Sequence, residues 1–206
     1  MPLLYDPAEA AAHVAAASPA MAALVARVGP VAIAPRDDEP PYASLRRAIV
    51  SQQLSTAAAR TIHLRLVDRL GPAPDAPASL LALDDGTLRG AGLSGAKVRA
   101  LRDLAARTLD GTVPDLATAQ ALDDEALVAR LTAVRGVGRW TVEMLLIFGL
   151  GRPDVWPVDD LGVRKGMARL HGLDPAPTPK ALVALGDVFR PYRSAAAWYC
   201  WRSFDA

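Results

Sequence analysis

Apolar side chains recur every three or four residues along most of the chain, and this spacing predicts an all-α protein. No run of alternating polar and apolar residues predicts a strand. An Ala-rich stretch at 7–28 breaks and restarts at Ser18 and Pro19, and a second helical region extends from Tyr42 to Leu70. Short helices follow it, and the longer helices predicted after them span residues 95–110, 123–134, 139–149, 180–189 and 193–202.

Proline, glycine and polar residues interrupt this helical pattern. The predicted loops are APRDDEPP (34–41), GPAPDAPAS (71–79), GRPDVWP (151–157) and the prolines at 175, 177 and 179. The polar stretch SQQLST (51–56) divides an apolar helical region, and Ser55 or Thr56 is predicted to cap the helix after it. The segment VDD (158–160) places Asp159 or Asp160 at the start of another helix, and Asp159 is the favoured cap.

Composition narrows the classes of protein that fit this pattern. A length of 206 residues is enough for one large domain or two small lobes. The longest apolar run, MLLIFGL (144–150), is too short to span a bilayer. A single cysteine, Cys200, and three scattered histidines argue against a zinc or iron–sulfur site. The net charge of +1 predicts no polyanionic partner, although residues 130–169 hold seven basic side chains against four acidic ones.

The sequence RGVGRW (135–140) is a candidate anion-binding site. Gly136 and Gly138 allow positive φ and a close backbone approach, and a helix is predicted to begin at about Arg139. Amide groups at such a helix start suit a phosphate. A plain helical hairpin with a glycine cap accounts for the same residues equally well.

Three further features each have a structural and a functional interpretation. A carboxylate in VDD is either a helix cap or an anion that faces a developing cation. The four tryptophans, Trp140, Trp156, Trp198 and Trp201, all lie in the C-terminal third, where core packing is the usual role of such side chains. SQQLS is either a kink or a loop that inserts a side chain into a partner.

Taken together, these segments resemble the helix–hairpin–helix (HhH-GPD) DNA glycosylases, and among them the DNA-3-methyladenine glycosylase II family. The resemblance extends from about Ser44 to Ser203, and the spacing of the hairpin, Trp140 and an aspartate 20 residues later is its most specific part. It rests on AIVSQQLSTAAA (48–59), GLSGAKVRALRDLA (92–105), LTAVRGVGRWTVEMLLIFGLGRPDVWPVDD (131–160) and RPYRSAAAWYCWR (190–202).

The resemblance implies a fold, an activity and a set of site residues. The fold is two-lobed and helical with a cleft between the lobes. It forms one domain over 1–206, with the helix–hairpin–helix at about 123–149 and no N-terminal β domain. The activity is the flipping and excision of alkylated purines from duplex DNA. Asp160 is the implied catalytic residue; the implied base pocket is Trp140, Trp201, Met144 and Gln52, and the implied DNA contacts are Gln53, Leu54, Ser55, Arg135, Gly136, Val137, Gly138, Arg139 and Thr141.

The implied chemistry needs little protonation of the leaving group, because an alkylated purine is cationic and already leaves readily, and no cofactor is expected. Tryptophan faces attract the electron-poor ring, and Asp160 stabilises the oxocarbenium-like transition state. The carbonyls of Thr132, Val134 and Val137 are a candidate site for a monovalent cation, and no other metal is expected. We expect a monomer without membrane contact, in the bacterial cytoplasm and associated with the nucleoid.

Several alternatives stay open at this level. Some relatives have an aromatic residue where this chain has Met144, so the range of lesions is undetermined. The side chain that wedges into DNA aligns with either Gln53 or Leu54. A helix–hairpin–helix module that binds DNA without catalysis is the alternative function. A bifunctional glycosylase/lyase is disfavoured, because such relatives carry lysine at the position of Trp140 and the chain has only Lys97, Lys165 and Lys180.

Overall fold

The computed structural model describes residues 3–36 and 38–205, and all regular elements within these ranges are helical. The α-helices are α1 (Pro7–Ala17), α2 (Pro19–Val28), α3 (Pro41–Ser51), α4 (Thr56–Leu70), α5 (Pro77–Ala82), α6 (Asp85–Gly90), α7 (Gly95–Leu109), α8 (Leu116–Ala121), α9 (Asp124–Leu131), α10 (Arg139–Met144), α11 (Leu161–His171), α12 (Pro179–Gly186) and α13 (Arg193–Arg202). A π-helical turn spans Leu145–Gly149, and a 3₁₀ turn spans Asp187–Phe189. The predicted all-α class is confirmed.

Short polar side chains begin many of these helices, as the sequence predicts. Ser18 caps α2 at the predicted break, and Ser55, rather than Thr56, caps α4. Some predicted bounds were wrong. The loop expected over 71–79 ends early, because Pro77 occupies the first turn of α5, where a missing N–H costs nothing. The helix expected over 139–149 is α-helical only as far as Met144.

One compact unit comprises Met1–Asp37 and Leu146–Ala206. Its central helix is α13, which packs against α1, α2 and α11 and is buried from Ser194 to Cys200. Small side chains let α11 approach closely: a Cβ added at Gly166 would lie 2.4 Å from the carbonyl oxygen of Cys200. This packing fixes the start of α11 relative to the end of α13.

The second compact unit comprises Asp38–Leu145. Its central helix is α7, which contacts α3, α5 and α6 through a buried face that includes Val98, Leu101 and Leu104. Helix α3 also packs on α4, and α9 packs on α10. The unit therefore contains both the SQQLST segment and the glycine hairpin.

The described residues offer neither a membrane span nor a metal-binding cluster. No helix there is both long enough and apolar enough to cross a bilayer. No cluster of three or more histidine, cysteine or acidic side chains in the described ranges is arranged to hold a metal ion. The single-domain assignment and the cleft implied by the resemblance stay predictions.

Candidate active site and DNA-binding hairpin

The glycine hairpin joins α9 to α10, and its two glycines have different roles. Gly136 has a φ of 77°, a left-handed conformation that favours glycine. Gly138 has a φ of −98°, so only Gly136 of the two uses the positive φ that glycine allows. Instead, Gly138 is the N-cap of α10 and supplies no capping side chain, and a Cβ added there would meet nothing within 4 Å. The start of α10 is therefore open to an approaching group.

Neighbouring helices hold the hairpin in place. The amide of Arg135 donates to Asp103 Oδ2 of α7 at 2.7 Å, and Arg107 Nε donates to the same oxygen at 3.0 Å. On the other side, Gln52 Nε2 donates to the carbonyl oxygen of Gly136 at 2.9 Å. The hairpin is thus fixed before any ligand binds.

Hydrogen bonds within the hairpin restrict which predicted residues could bind a phosphate. The amide of Val137 donates to the carbonyl of Val134 at 3.1 Å, and the amide of Thr141 donates to the carbonyl of Gly138 at 2.9 Å. The side chains of Val137 and Thr141 are also buried. The amide of Gly138 has no acceptor among the described residues, which makes it the best-placed phosphate donor of the three.

Arg139 is held in an ion pair across the hairpin. Its two terminal nitrogens donate to Glu125 of α9, Nη1 to Oε1 at 2.9 Å and Nη2 to Oε2 at 2.5 Å. This bidentate contact lowers the pKa of Glu125. A DNA phosphate at Arg139 would therefore compete with a carboxylate that is already in place.

The carbonyls proposed for a monovalent cation lie in the turn between α9 and α10. That of Val134 already accepts the amide of Val137, so a cation would use its second lone pair. Cation binding at Thr132, Val134 and Val137 stays a prediction.

A cavity of about 620 Å³ in the second unit collects many of the predicted site residues. Its described lining carries three cationic side chains and no acidic one, and Trp140 in it is 45% exposed. The lining residues are Ala48, Ile49, Ser51, Gln52, Gln53, Ser94, Ala96, Lys97, Arg99, Ala100, Arg135, Gly136, Trp140, Thr141 and Met144. Three of the four predicted base-pocket residues, Gln52, Trp140 and Met144, therefore line one surface.

The SQQLST segment forms a tight turn at the end of α3. The amide of Leu54 donates to the carbonyl of Ser51 at 3.2 Å. Gln52 has φ −51° and ψ 133°, and Gln53 has φ 57°, which together define a type II turn. Glycine is the usual residue at the third position of such a turn, and a side chain there costs roughly 1–2 kcal/mol. Gln53 is exposed at this strained position, and Leu54 beside it is 38% exposed.

Asp160 caps α11 in the first unit. Its Oδ1 accepts the amide of Val163 at 2.8 Å and the indole N–H of Trp201 at 2.9 Å. Asp160 is 9% exposed, whereas Asp159 is exposed and does not cap the helix. The sequence interpretation that favoured Asp159 as the cap was therefore wrong.

Trp201 has an aromatic neighbour, Phe148, that was not predicted from the sequence. The ring of Phe148 lies 5.5 Å from that of Trp201 at an interplanar angle of 31°, and Phe148 is 39% exposed. Phe148 lies in the π-helical turn Leu145–Gly149, whereas the sequence predicted a regular helix there. Such turns are frequent at functional sites, but the apolar pattern carries no sign of this one.

Two glycines and a thiol complete the surroundings of Asp160. A Cβ at Gly162 would lie 2.7 Å from Trp201 Cδ1 and 3.0 Å from Asp160 Oδ1, so only glycine fits. Gly166 serves the same purpose one turn later against Cys200. Burial, and then the charge of Asp160, raise the pKa of the Cys200 thiol far above its ordinary value.

The other two tryptophans pack in the core, as expected. Trp156 and Trp198 are 7% and 9% exposed, and the Trp156 indole N–H donates to the carbonyl of Leu182 at 2.8 Å. Lys97 was passed over in the sequence because it lies far from the hairpin along the chain. The structure places it in the same cavity as Trp140 and Arg135.

Comparison with known proteins places this geometry in a family. The family described as HhH-GPD superfamily base excision DNA repair protein matches residues 46–191. The chain is 41% identical over 165 residues to DNA-3-methyladenine glycosylase 1 of Schizosaccharomyces pombe, covering 79% of this chain and 72% of that protein.

Solved structures give the same result. The 3-methyladenine DNA glycosylase of S. pombe in complex with abasic DNA aligns with a TM-score of 0.84 and 36% identity, over 96% of this chain and 97% of that one. A DNA-3-methyladenine glycosidase from Bacillus halodurans aligns with a TM-score of 0.85 and 30% identity, over 97% and 90% of the two chains.

Proposed function

The chain belongs to the HhH-GPD superfamily of base excision DNA repair proteins and is a DNA glycosylase of the DNA-3-methyladenine family, and from this premise we propose that it releases alkylated purines from duplex DNA by hydrolysis alone. The comparisons do not favour a helix–hairpin–helix module without catalysis. The observation that carries the proposal is the arrangement of Asp160 and Trp201, in which a buried carboxylate and an aromatic side chain share a hydrogen bond.

Asp160 is the proposed catalytic residue. The N–glycosidic bond breaks with its electron pair moving to the base, which neutralises the positive charge of an N3- or N7-alkylated purine. Positive charge develops on the sugar, and water adds to C1′ and loses a proton. A carboxylate fixed by two hydrogen bonds needs no reorganisation to stabilise that charge, and comparable preorganised groups contribute on the order of 10²–10³ in rate.

Aromatic side chains are the proposed recognition elements for the damaged base. In the second unit the half-exposed Trp140 is a proposed stacking face for an electron-poor ring, and in the first unit the pair formed by Trp201 and Phe148 is another. Each cation–π contact is worth ~0.5–2 kcal/mol, so the preference for a cationic purine over an ordinary one arises from stacking. Met144 lines the same cavity as Trp140.

DNA containing alkylated bases is the proposed partner, bound as a duplex by a monomer. The hairpin would hold a backbone phosphate at the start of α10, with Arg135 and Arg99 adding positive charge nearby. These groups contact no base edge in this proposal, so binding is independent of sequence and damage is detected by the pocket.

A hydrolase without lyase activity is the proposed reaction type. A lyase needs an amine that forms a Schiff base with the sugar. Lys97 Nζ donates to two backbone carbonyls, at 2.7 and 2.8 Å, and such an engaged ammonium is a poor nucleophile. Borohydride should therefore trap no protein–DNA adduct, and strands should break only after alkali. An adduct that forms in the wild type and is lost in Lys97→Met would show that the amine attacks.

The decisive experiment is analysis of bases released from methylated duplex DNA. The expected products are 3-methyladenine and 7-methylguanine, with abasic sites left in intact strands. Asp160→Asn provides the inactive control, because it preserves shape while removing the charge. Release of no base by folded wild-type protein that binds the duplex would contradict the proposed activity.

A further inference from the structure

Lys97 occupies an unusual place for a cation. It lies in the first turn of α7, which Ser94 caps, and positive charge is disfavoured at that end of a helix. Its Nζ donates to the carbonyl oxygen of Val50 at 2.7 Å and to that of Gln52 at 2.8 Å. Burial lowers the pKa of this ammonium. A charge placed at such a cost indicates a specific role for these two contacts.

The carbonyl of Gln52 decides which turn the chain adopts. Type I and type II turns differ by a flip of the central peptide, here the one between Gln52 and Gln53. In the type II form that is present, Gln53 takes the left-handed φ of 57°. In type I, its φ would be negative and free of strain. A donor fixed at the Gln52 carbonyl therefore keeps the peptide in the flipped orientation that strains Gln53.

A second contact ties the same turn to the phosphate-binding hairpin. Gln52 Nε2 donates to the carbonyl of Gly136 at 2.9 Å, across a sequence separation of 84 residues. The main chain of Gln52 is thus held by α7, and its side chain is held by the hairpin. One residue connects the turn to both neighbouring elements.

We propose that Lys97 is a positioning residue that locks the Ser51–Leu54 turn in its type II form, so that Gln53 is aimed at the DNA stack before the damaged base is flipped. This inference rests on the proposed function, since it assigns Gln53 as the side chain that fills the gap. A strained residue held by a charge-assisted hydrogen bond is preorganised, and insertion then needs no rearrangement of the turn.

The first test measures folding stability without DNA and so does not depend on the proposed function. Gln53→Gly relieves the left-handed strain, and its effect is compared in wild-type and Lys97→Met backgrounds by chemical denaturation. Glycine also increases the conformational entropy of the unfolded chain, but this effect is the same in both backgrounds and cancels in the comparison. We expect Gln53→Gly to raise the free energy of unfolding more in the wild-type background, where Lys97 enforces the strained turn, than in the Lys97→Met background. Equal effects in both backgrounds would overturn the proposal.

The second test compares single-turnover excision from methylated duplex with excision from the same strand alone. Lys97→Met should lower the duplex rate on the order of tenfold, which corresponds to loss of a charge-assisted hydrogen bond, and should spare the single-strand rate. Lys97→Arg should restore much of the loss, and Lys180→Met removes the same charge at an exposed site as a control. Fluorescence of 2-aminopurine next to the target reports stack insertion independently.

The outcomes of this second test are distinguishable. An equal loss on both substrates, or a loss of affinity for undamaged duplex, would assign Lys97 to chemistry or to phosphate binding and overturn the positioning role. Excision from neither substrate by wild type would contradict the proposed function alone, because the stability comparison still tests the turn. If Lys97→Met does not fold, Lys97→Gln serves in both tests, since its amide can donate to one of the two carbonyls.

Discussion

Trp201 and Asp160 are joined by a 2.9 Å hydrogen bond from the indole N–H to Oδ1, the oxygen that also caps α11 through the amide of Val163. One carboxylate oxygen therefore fixes both the start of a helix and the orientation of an aromatic ring. The side chain that we assign to catalysis is held by these hydrogen bonds, and the ring that we assign to stacking is aligned by it.

Asp160→Asn should separate chemistry from folding. Asparagine caps helices about as well as aspartate, so stability should change little. Excision should fall by roughly 10² or more, because the charge facing the sugar is lost. DNA affinity should be retained or improved. Single-turnover excision and a binding titration check this, with Asp159→Asn as the exposed neighbour that should remain active. Near wild-type excision by Asp160→Asn would show that the catalytic assignment is wrong.

Trp201→Ala should reduce excision far more than it reduces thermal stability. The substitution removes a stacking face and a hydrogen-bond donor to Asp160, so we expect a loss of roughly tenfold or more. Trp156→Phe is the matched comparison: it removes a buried N–H donor and should lower the melting temperature without affecting the folded enzyme. If Trp201→Ala unfolds the protein while its folded fraction stays active, Trp201 belongs to the core.

Gln53→Ala should impair excision from duplex more than Leu54→Ala does. Gln53 occupies the strained third position of the turn, where glycine is conformationally favoured. A glutamine kept there despite the strain indicates that its side chain has a function. Unstacking costs a few kcal/mol, and a filler matters most where the base is well paired. Rates on duplex and on single strands measure this. A larger duplex-specific loss in Leu54→Ala would make Leu54 the wedge.

Gly138→Ala should act mainly on DNA affinity, whereas Gly136→Ala should act mainly on folding stability. A Cβ at Gly138 meets no protein atom within 4 Å and its φ is ordinary, so stability should fall only by the modest amount by which alanine is a poorer N-cap than glycine, while the added methyl obstructs the phosphate and weakens DNA binding. Gly136 has a φ of 77°, so alanine there should cost roughly 1–2 kcal/mol of stability. Denaturant unfolding and titration with undamaged duplex distinguish the two. Unchanged affinity in Gly138→Ala would place the phosphate elsewhere.

Cys200 should be unreactive in the folded protein. Burial is the larger cause of its raised pKa and the charge of Asp160 the smaller, so the nucleophilic thiolate is suppressed at neutral pH. A thiol-specific reagent should label native protein no faster than it unfolds. Asp160→Asn should leave this protection largely intact, because burial remains. Rapid labelling of the native state would contradict the packing of α13 against α11.

Local patterns predicted the parts of the site that depend on neighbouring residues. The hairpin glycines and a cap at Ser55 or Thr56 follow from turn chemistry and helical spacing, and the buried positions of Trp156 and Trp198 follow from the usual packing role of tryptophan. The choice between Asp159 and Asp160 as the cap did not follow from local patterns, because it depends on the residue at which α11 begins. A turn precedes that helix, in which the amide of Asp160 donates to the carbonyl of Pro157 at 3.0 Å.

Long-range contacts explain the rest. Lys97 meets Val50 and Gln52 across 47 and 45 residues, and no sequence pattern near any of them shows this. Phe148 reaches Trp201 only because the helix widens into a π turn after Met144. The resemblance supplied Asp160 and Trp201 as separate positions, and their shared hydrogen bond became visible only in three dimensions.

The proposed catalytic role of Asp160 falls on the residue that also caps α11. A descendant that lost its catalytic function would still need a capping side chain at this position to begin α11, and aspartate would serve that need as well as before. Selection for folding alone can therefore preserve the aspartate after the enzyme activity has gone. Its presence in a sequence identifies a correctly started helix, and activity has to be established from the stacking face beside it.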